Sequence, residues 1–245
     1  EARKYCKMAA DNGHVDAMFT YSQMIEKIKD TKFKEESAKY CGMAAQKGHV
    51  KAMHNYALKL LKGKGIIADT NESIKFFKIA SGKGNADSMF FYARMLERGE
   101  GIRIDQKESI KYYKMAAEKG HLISMKKIAL KVLKGERSII DKKEAVKYLK
   151  NLADNGDLES MYTYASLLLN GEGVPVDQKE AAKYLKMAAD QNHAESMYAY
   201  ATLLLNGTGV PVNLGEAARY FKIAADECHL DSMFSYANIL EKSDG

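Results

Sequence analysis

Gly171-Glu172-Gly173, in the run GEGVPVDQKEAAKYLK at 171–186, has the spacing of a backbone loop that cradles a phosphate ahead of a helix. Five histidines, His14, His49, His121, His193 and His229, fall at one position of a recurring pattern and could bind a metal or sense pH. Ser124 and Lys127 form Ser-x-x-Lys, the spacing of a serine nucleophile with a lysine partner. Each of these chemistries makes demands on the surrounding chain.

The Gly-x-Gly does not meet its demands. A dinucleotide loop needs a third glycine, where this chain has Val176, and a preceding strand, where residues 162–170 have helical periodicity. The histidines recur in units whose stacked helices should lie about 10 Å apart, too far for two imidazoles to share a zinc through bonds of about 2 Å. Serine recurs at the slot of Ser124 as Ser88, Ser160, Ser196 and Ser232, which reads as a helix start, and the companion motifs of Ser-x-x-Lys are absent. No Walker loop, kinase catalytic motif or His-Glu-x-x-His is present. The chain therefore reads as non-catalytic, with no cofactor and no metal.

The elements that carry these residues are repeats. Methionine recurs at Met18, Met53, Met89, Met125, Met161, Met197 and Met233, at one interval of 35 and five of 36, and an aromatic stands thirteen residues before each. Within a unit, Ala181, Tyr184, Leu185, Ala188 and Ala189 form one apolar helical face, helix A, which ends at a glycine such as Gly156 or, in the last two copies, at Asn192 and Cys228. Met197, Tyr200, Ala201, Leu204 and Leu205 form the face of helix B. Two such helices cannot close a core alone, so units must stack as a solenoid. The approximate units are 1–34, 35–70, 71–106, 107–142, 143–178, 179–214 and 215–245, one solenoid domain without room for a second.

Between units, the glycines read as joints. Gly63, Gly99, Gly171 and Gly207 would end helix B with positive φ, and Gly65, Gly101, Gly173 and Gly209 would complete the turn. Asp177 with Glu180 is a capping box for the next helix A, repeated as Asp69/Glu72, Asp105/Glu108, Asp141/Glu144 and Asn213/Glu216. Val174 and Val176 are expected to tuck between units. Copy one lacks the Gly-x-Gly, and copy four reads GERSII at 135–140.

The G-x-G-V turn, the E-A-x-K-Y-x-K-x-A-A-x-x-G of helix A and the tyrosine plus small residue of helix B resemble the Sel-1-like repeat family, relatives of tetratricopeptide repeats. The resemblance covers essentially the whole chain and is closest over 171–206 and 207–242. It implies an all-α, right-handed α/α superhelix, used as a scaffold or adaptor in signalling and in endoplasmic-reticulum quality control, without activity of its own. The cysteine-rich secreted branch of the family is not matched: Cys6, Cys41 and Cys228 are too few and too far apart to staple each repeat.

Composition narrows the partner. At 46% apolar and 29% charged residues with two prolines, the chain of 245 residues is ordered and helix-rich, with no apolar run near the roughly 18 residues that span a membrane. Three cysteines suit a reducing compartment, hence the cytoplasm; the sequons at Asn71 and Asn206 raise the endoplasmic-reticulum lumen as the alternative. Residues 1–140 carry 28 Lys and Arg against 16 Asp and Glu, whereas 141–245 carry 10 against 16. Helix A repeats one row of bases, including Lys39, Lys75, Lys111, Lys147, Lys183 and Arg219, and a second row one turn on, both spaced for ion pairs within the helix, as in Glu72–Lys75.

Basic residues that break the repeat are the better candidates for a partner surface: Lys126, Lys127, Lys131, Lys134 and Arg137 in copy four, and Lys59, Lys62 and Lys64 in copy two, joined by Lys75 and Lys111. The expected partner is a protein, with an acidic segment; nucleic acid is disfavoured because no base-stacking aromatics interleave with the lysines. Opening at Glu1 in mid-unit, the chain reads as a piece of a longer one, and the alternative function is the regulatory arm of a larger enzyme such as a protein kinase.

Overall fold

The computed structural model describes residues 1–135 and 140–243. Fourteen α-helices lie among the described residues, helix A and helix B alternating along the chain. They are α1 (Ala2–Asp11), α2 (Val15–Glu26), α3 (Thr31–Gln46), α4 (Val50–Lys62), α5 (Thr70–Gly82), α6 (Ala86–Arg98) and α7 (Gln106–Glu118). There follow α8 (Leu122–Leu133), α9 (Lys142–Asp154), α10 (Leu158–Asn170), α11 (Gln178–Ala189), α12 (Ala194–Asn206), α13 (Leu214–Asp226) and α14 (Leu230–Ser243). Among the described residues no helix is long and apolar enough to cross a membrane. The chain divides into two compact units, Glu1–Ser124 and Met125–Gly245.

Within each unit helices pack on their sequence neighbours: α1 through α7 in series in the first, α9 through α14 in the second. That nearest-neighbour pattern is what makes a solenoid. Alanines permit it, since Ala44, Ala80, Ala116, Ala188 and Ala224 are fully buried where helices approach. Larger side chains such as Phe77, Tyr113, Leu149 and Phe221 fill the space between. In the first unit, buried Ser37, Ser73 and Ser109 donate Oγ–H to the carbonyls of Ser22, Ala57 and Ala93 on the preceding helix B, at 2.7–2.9 Å. The second unit places Ala145, Ala181 and Ala217 there instead, all fully buried.

The joints follow the expected plan with two corrections. Gly63, Gly99, Gly171 and Gly207 end their helices in the left-handed conformation. Asp69, Asp105, Asp141, Asp177 and Asn213 each accept the amide three residues on, at 2.8–3.0 Å. The capping box is only half built, however. The backbone N–H of Asp69, Asp105, Asp177 and Asn213 donates to Leu60, Leu96, Leu168 and Leu204 of the preceding helix B, so Glu72, Glu108, Glu180 and Glu216 do not close the box. Glu72 departs furthest from its expected role. Its amide binds Asp69 at 2.8 Å, but its half-buried carboxylate neither returns to the Asp69 amide, which Leu60 already occupies, nor pairs with exposed Lys75.

The second correction concerns the valines. Val176 is exposed rather than tucked away, because its side chain lies over Gly171, with Cγ2 3.0 Å from where a Cβ would stand. Val174 is half-buried. Helix A ends as expected at Gly13, Gly48, Gly84, Gly120 and Gly156, and Asn192 and Cys228 adopt the same positive φ, at 64° and 67°. Arg137 and most of the GERSII segment lie outside the described residues.

Candidate functional site

Several of the glutamates spared by the caps bind the neighbouring repeat. Lys7 donates to Glu36 at 2.5 Å, Lys150 to Glu180 at 2.8 Å and Lys186 to Glu216 at 3.1 Å. Glu72 is left out of this series because Gly42 stands where the lysine of the preceding repeat would be. Each of the three ammoniums also lies 5.4–5.7 Å from the ring centre of a helix B tyrosine, Tyr21, Tyr164 or Tyr200. The same tyrosines meet Tyr40, Tyr184 and Tyr220 edge-on at 4.9–5.3 Å. Those three donate their hydroxyls to Asp11, Asp154 and Asp190 of the repeat before. Burial, reinforced by the bond to the aspartate, pushes the Tyr40 and Tyr220 hydroxyls up to about 12. In the second lysine row Lys150 and Lys186 therefore tie repeats together; Lys186 reaches Glu216 across the joint, not Asp190 along its helix. Pairs within a helix also occur, Lys111–Glu108 at 3.3 Å and Lys114–Glu118 at 3.8 Å.

The expected partner-binding residues separate. Lys59 is 4% exposed and leaves that surface: it occupies the core slot of Met95, Leu167 and Leu203, donating to Glu26 and Ser37, both at 3.1 Å. Lys64 also binds Glu26, at 2.7 Å. Lys126 reaches both carboxylate oxygens of Asp157 at 3.0 Å. Lys127 and Lys131 are half-buried, whereas Lys62, Lys75, Lys111 and Lys134 are exposed.

The recurring histidines are helix caps. His14, His49, His121, His193 and His229 each accept, at Nδ1, the amide three residues on, at 3.0–3.3 Å. Asn85 and Asp157 do the same in the two repeats without this histidine. His121 Nδ1 also lies 2.9 Å from Ser124 Oγ, and its Nε2 is 3.6 Å from Asp87. This has the outline of a serine–histidine–carboxylate triad, yet Ser124 is fully buried and Nδ1 already accepts a backbone amide. Among the described residues no group of three or more metal-ligating side chains converges.

The cap has a pH consequence. Burial lowers the His121 pKa, partly opposed by Asp87, so the folded state prefers the neutral ring that can accept at Nδ1. A folded value below the unfolded one means that this stabilisation is complete above about pH 6.5 and fades as pH falls further. The loss should grow as pH falls from about 6.5. His121→Asn, which copies the cap at Asn85, should keep neutral-pH stability and flatten that acid limb in urea melts.

The surface that stacking leaves open runs along helix A. Met8, Met43, Ile79 and Met115 occupy one register of α1, α3, α5 and α7, with Met8 50% and Ile79 47% exposed. The second unit continues the register with Asn151, Met187 and Ile223 on α9, α11 and α13. Four residues earlier in each helix stands an exposed base: Lys4, Lys39, Lys75 and Lys111 in the first unit, Lys147, Lys183 and Arg219 in the second. At that spacing the two side chains share one helix face. The bases were legible in sequence and the apolar row was not, although Met187 already stood off the apolar face of its helix.

Comparison with known proteins agrees with the fold. The family model for the Sel1 repeat matches residues 1–14, 50–85, 86–121, 128–157, 158–193 and 194–227. The chain is similar to the crystal structure of a protective antigen of uropathogenic Escherichia coli with an SLR fold: TM-score 0.79, 21% identity, covering 98% of this chain and 52% of that one. It is also similar to a Sel1 repeat protein from Oxalobacter formigenes: TM-score 0.69, 22% identity, covering 92% of this chain and 66% of that one. The chain thus spans about half of the first structure's length and just under two thirds of the second's. A comparison with curated proteins returned no match.

Proposed function

This chain belongs to the Sel1 repeat family, whose members are generally protein-interaction scaffolds, and from that premise we propose that it grips a protein segment along its A helices. The observation that carries the proposal is the row of half-exposed apolar side chains, Met8, Met43, Ile79 and Met115, each behind an exposed lysine. Met8 and Ile79 are about half exposed, while Met43 keeps one side against the core. Methionine suits such a surface because its flexible thioether adapts to varied partners. The segment that fits is one with apolar anchors interleaved with acidic residues. The scaffold itself is non-catalytic.

Peptides selected from a random library on the whole protein test the reading. Their binding, followed by fluorescence anisotropy, should weaken at least about tenfold in Lys75→Glu/Ile79→Glu, the loss expected when an anchor and its charge partner go. It should also weaken with salt. The melting temperature should not move, because both positions are exposed. Selected peptides that bind the variant equally well would exclude the helix A surface.

A further inference from the structure

Two lysines of the second repeat depart from what their registers carry elsewhere. Lys59 stands where Met95, Leu167 and Leu203 are buried, and Lys64 stands between joint glycines where other repeats have Glu100, Glu172 and Thr208. A buried ion pair stabilises a fold no better than apolar side chains of similar volume, so folding alone does not account for Lys59.

Both lysines face one cavity of about 170 Å³, lined by Glu26 of α2, by Asn55, Leu58, Lys59 and Lys62 of α4, and by Lys64 just beyond it. The Lys59 ammonium has three N–H donors. Glu26 and Ser37 take two of them, both at 3.1 Å, and are its only acceptors among the described residues. Lys64 also binds Glu26, at 2.7 Å, while Lys62 forms no ion pair among the described residues. Three ammoniums and one carboxylate leave the cavity walls with a net charge of +2. Cys41, fully buried and close enough to feel Lys59, adds no charge, since burial pushes its thiol up to about 12.

We propose that this cavity binds the phosphate group of a phosphate monoester. A phosphate monoester carries a charge of about −1.5 to −2 at neutral pH, which matches the walls where a carboxylate would not. Lysines hold phosphate as point charges, and the third donor of Lys59, the Lys62 ammonium and the Asn55 amide supply the contacts. The cavity is smaller than the roughly 300 Å³ at which pockets for whole small molecules begin, so it takes the phosphate and leaves its carrier outside. The site belongs to the B helices and does not depend on the helix A surface.

Chemical-shift titration of the whole ¹⁵N-labelled protein tests this. The probes are glycerol 3-phosphate and, each capped as its N-acetyl methylamide, phosphoserine and aspartate. Both phosphates should produce saturable shifts of the Asn55 side-chain amide and of backbone amides 58–64. Lys59→Met, which gives the slot the side chain found at Met95, should weaken both at least about tenfold, the loss expected for a hydrogen bond between charged groups. Binding should also weaken severalfold from about pH 7.5 to 5, because the phosphate loses its second charge near pH 6. Glu26 stays ionised over that range, since its hydrogen bonds from lysine outweigh the effect of burial. Tighter binding of capped phosphoserine than of glycerol 3-phosphate would assign the monoester to a protein segment, and the reverse order to a free ligand. Lys75→Glu/Ile79→Glu should leave the titration unchanged, so failure of this site and failure of the helix A surface are distinguishable. Absence of saturable shifts at these residues, equal binding by Lys59→Met, or capped aspartate binding as tightly as capped phosphoserine would each overturn the proposal.

Discussion

Gly209→Ala should cost about 3 kcal/mol or more, since the left-handed backbone alone penalises a Cβ by roughly 1–2 kcal/mol and a steric collision adds to it. With φ at 71°, a Cβ here would stand 2.2 Å from the carbonyl oxygen of Gln178, in the first turn of α11. A backbone oxygen in a capped helix cannot retreat without moving the helix. Gly65 makes the same approach, 2.2 Å from the carbonyl oxygen of Lys34 in α3, so the second glycine of the joint is where the chain crosses its own repeat's helix A. Gly156→Ala is the matched control: φ is 90° and nothing lies within 4 Å, leaving only the backbone cost of roughly 1–2 kcal/mol. Urea unfolding followed by far-UV circular dichroism separates the two, and equal losses would remove the steric argument.

The second large effect is expected in the first unit, where buried Lys59 pairs with half-buried Glu26. Glu26→Gln should destabilise by about 3–5 kcal/mol, because it leaves the Lys59 ammonium buried without a counter-charge. Lys59→Met should instead be neutral or stabilising, since Met95 fills the same slot one repeat later and is fully buried. Burial alone would push the Glu26 carboxyl up, but hydrogen bonds from Lys64 and Lys59 outweigh it and hold the carboxyl below the usual range. A lowered folded value means that this stabilisation is complete above about pH 4.3 and is lost as pH falls below it. Urea midpoints of both variants from neutral to acid pH check this; equal destabilisation by the two would contradict the pair's role.

The repeat period made most of the fold legible before any coordinate. Seven methionines in near-constant register placed the fourteen helices, and the cap and glycine positions followed. The direction of side chains across joints was hidden. Glu180 looked like the second half of a capping box and a partner for Lys183, but the amide it would have bonded donates to Leu168, and Lys150 comes from the repeat before. Glu72 looked the same in sequence, yet with Gly42 in the preceding repeat it gains no such lysine. Spacing within a helix cannot reveal a partner 30 residues away. Lys59 was misread for a related reason: a lysine at a core register looks like surface until the counter-charge at Glu26 is known. The exposed apolar row was hidden among core-type residues, because sequence alone does not distinguish a methionine facing the core from one facing outward.

The claim that function resides on the A helices is tested most directly by site-specific photo-crosslinking of the full protein in its native source. A photoreactive residue is placed at position 79 on α5 or, as control, at exposed position 51 on α4. The expected result is a discrete protein adduct from position 79, absent from position 51 and lost when Lys75→Glu is added. Adducts from position 51 alone, or adducts from position 79 unaffected by Lys75→Glu, would contradict it.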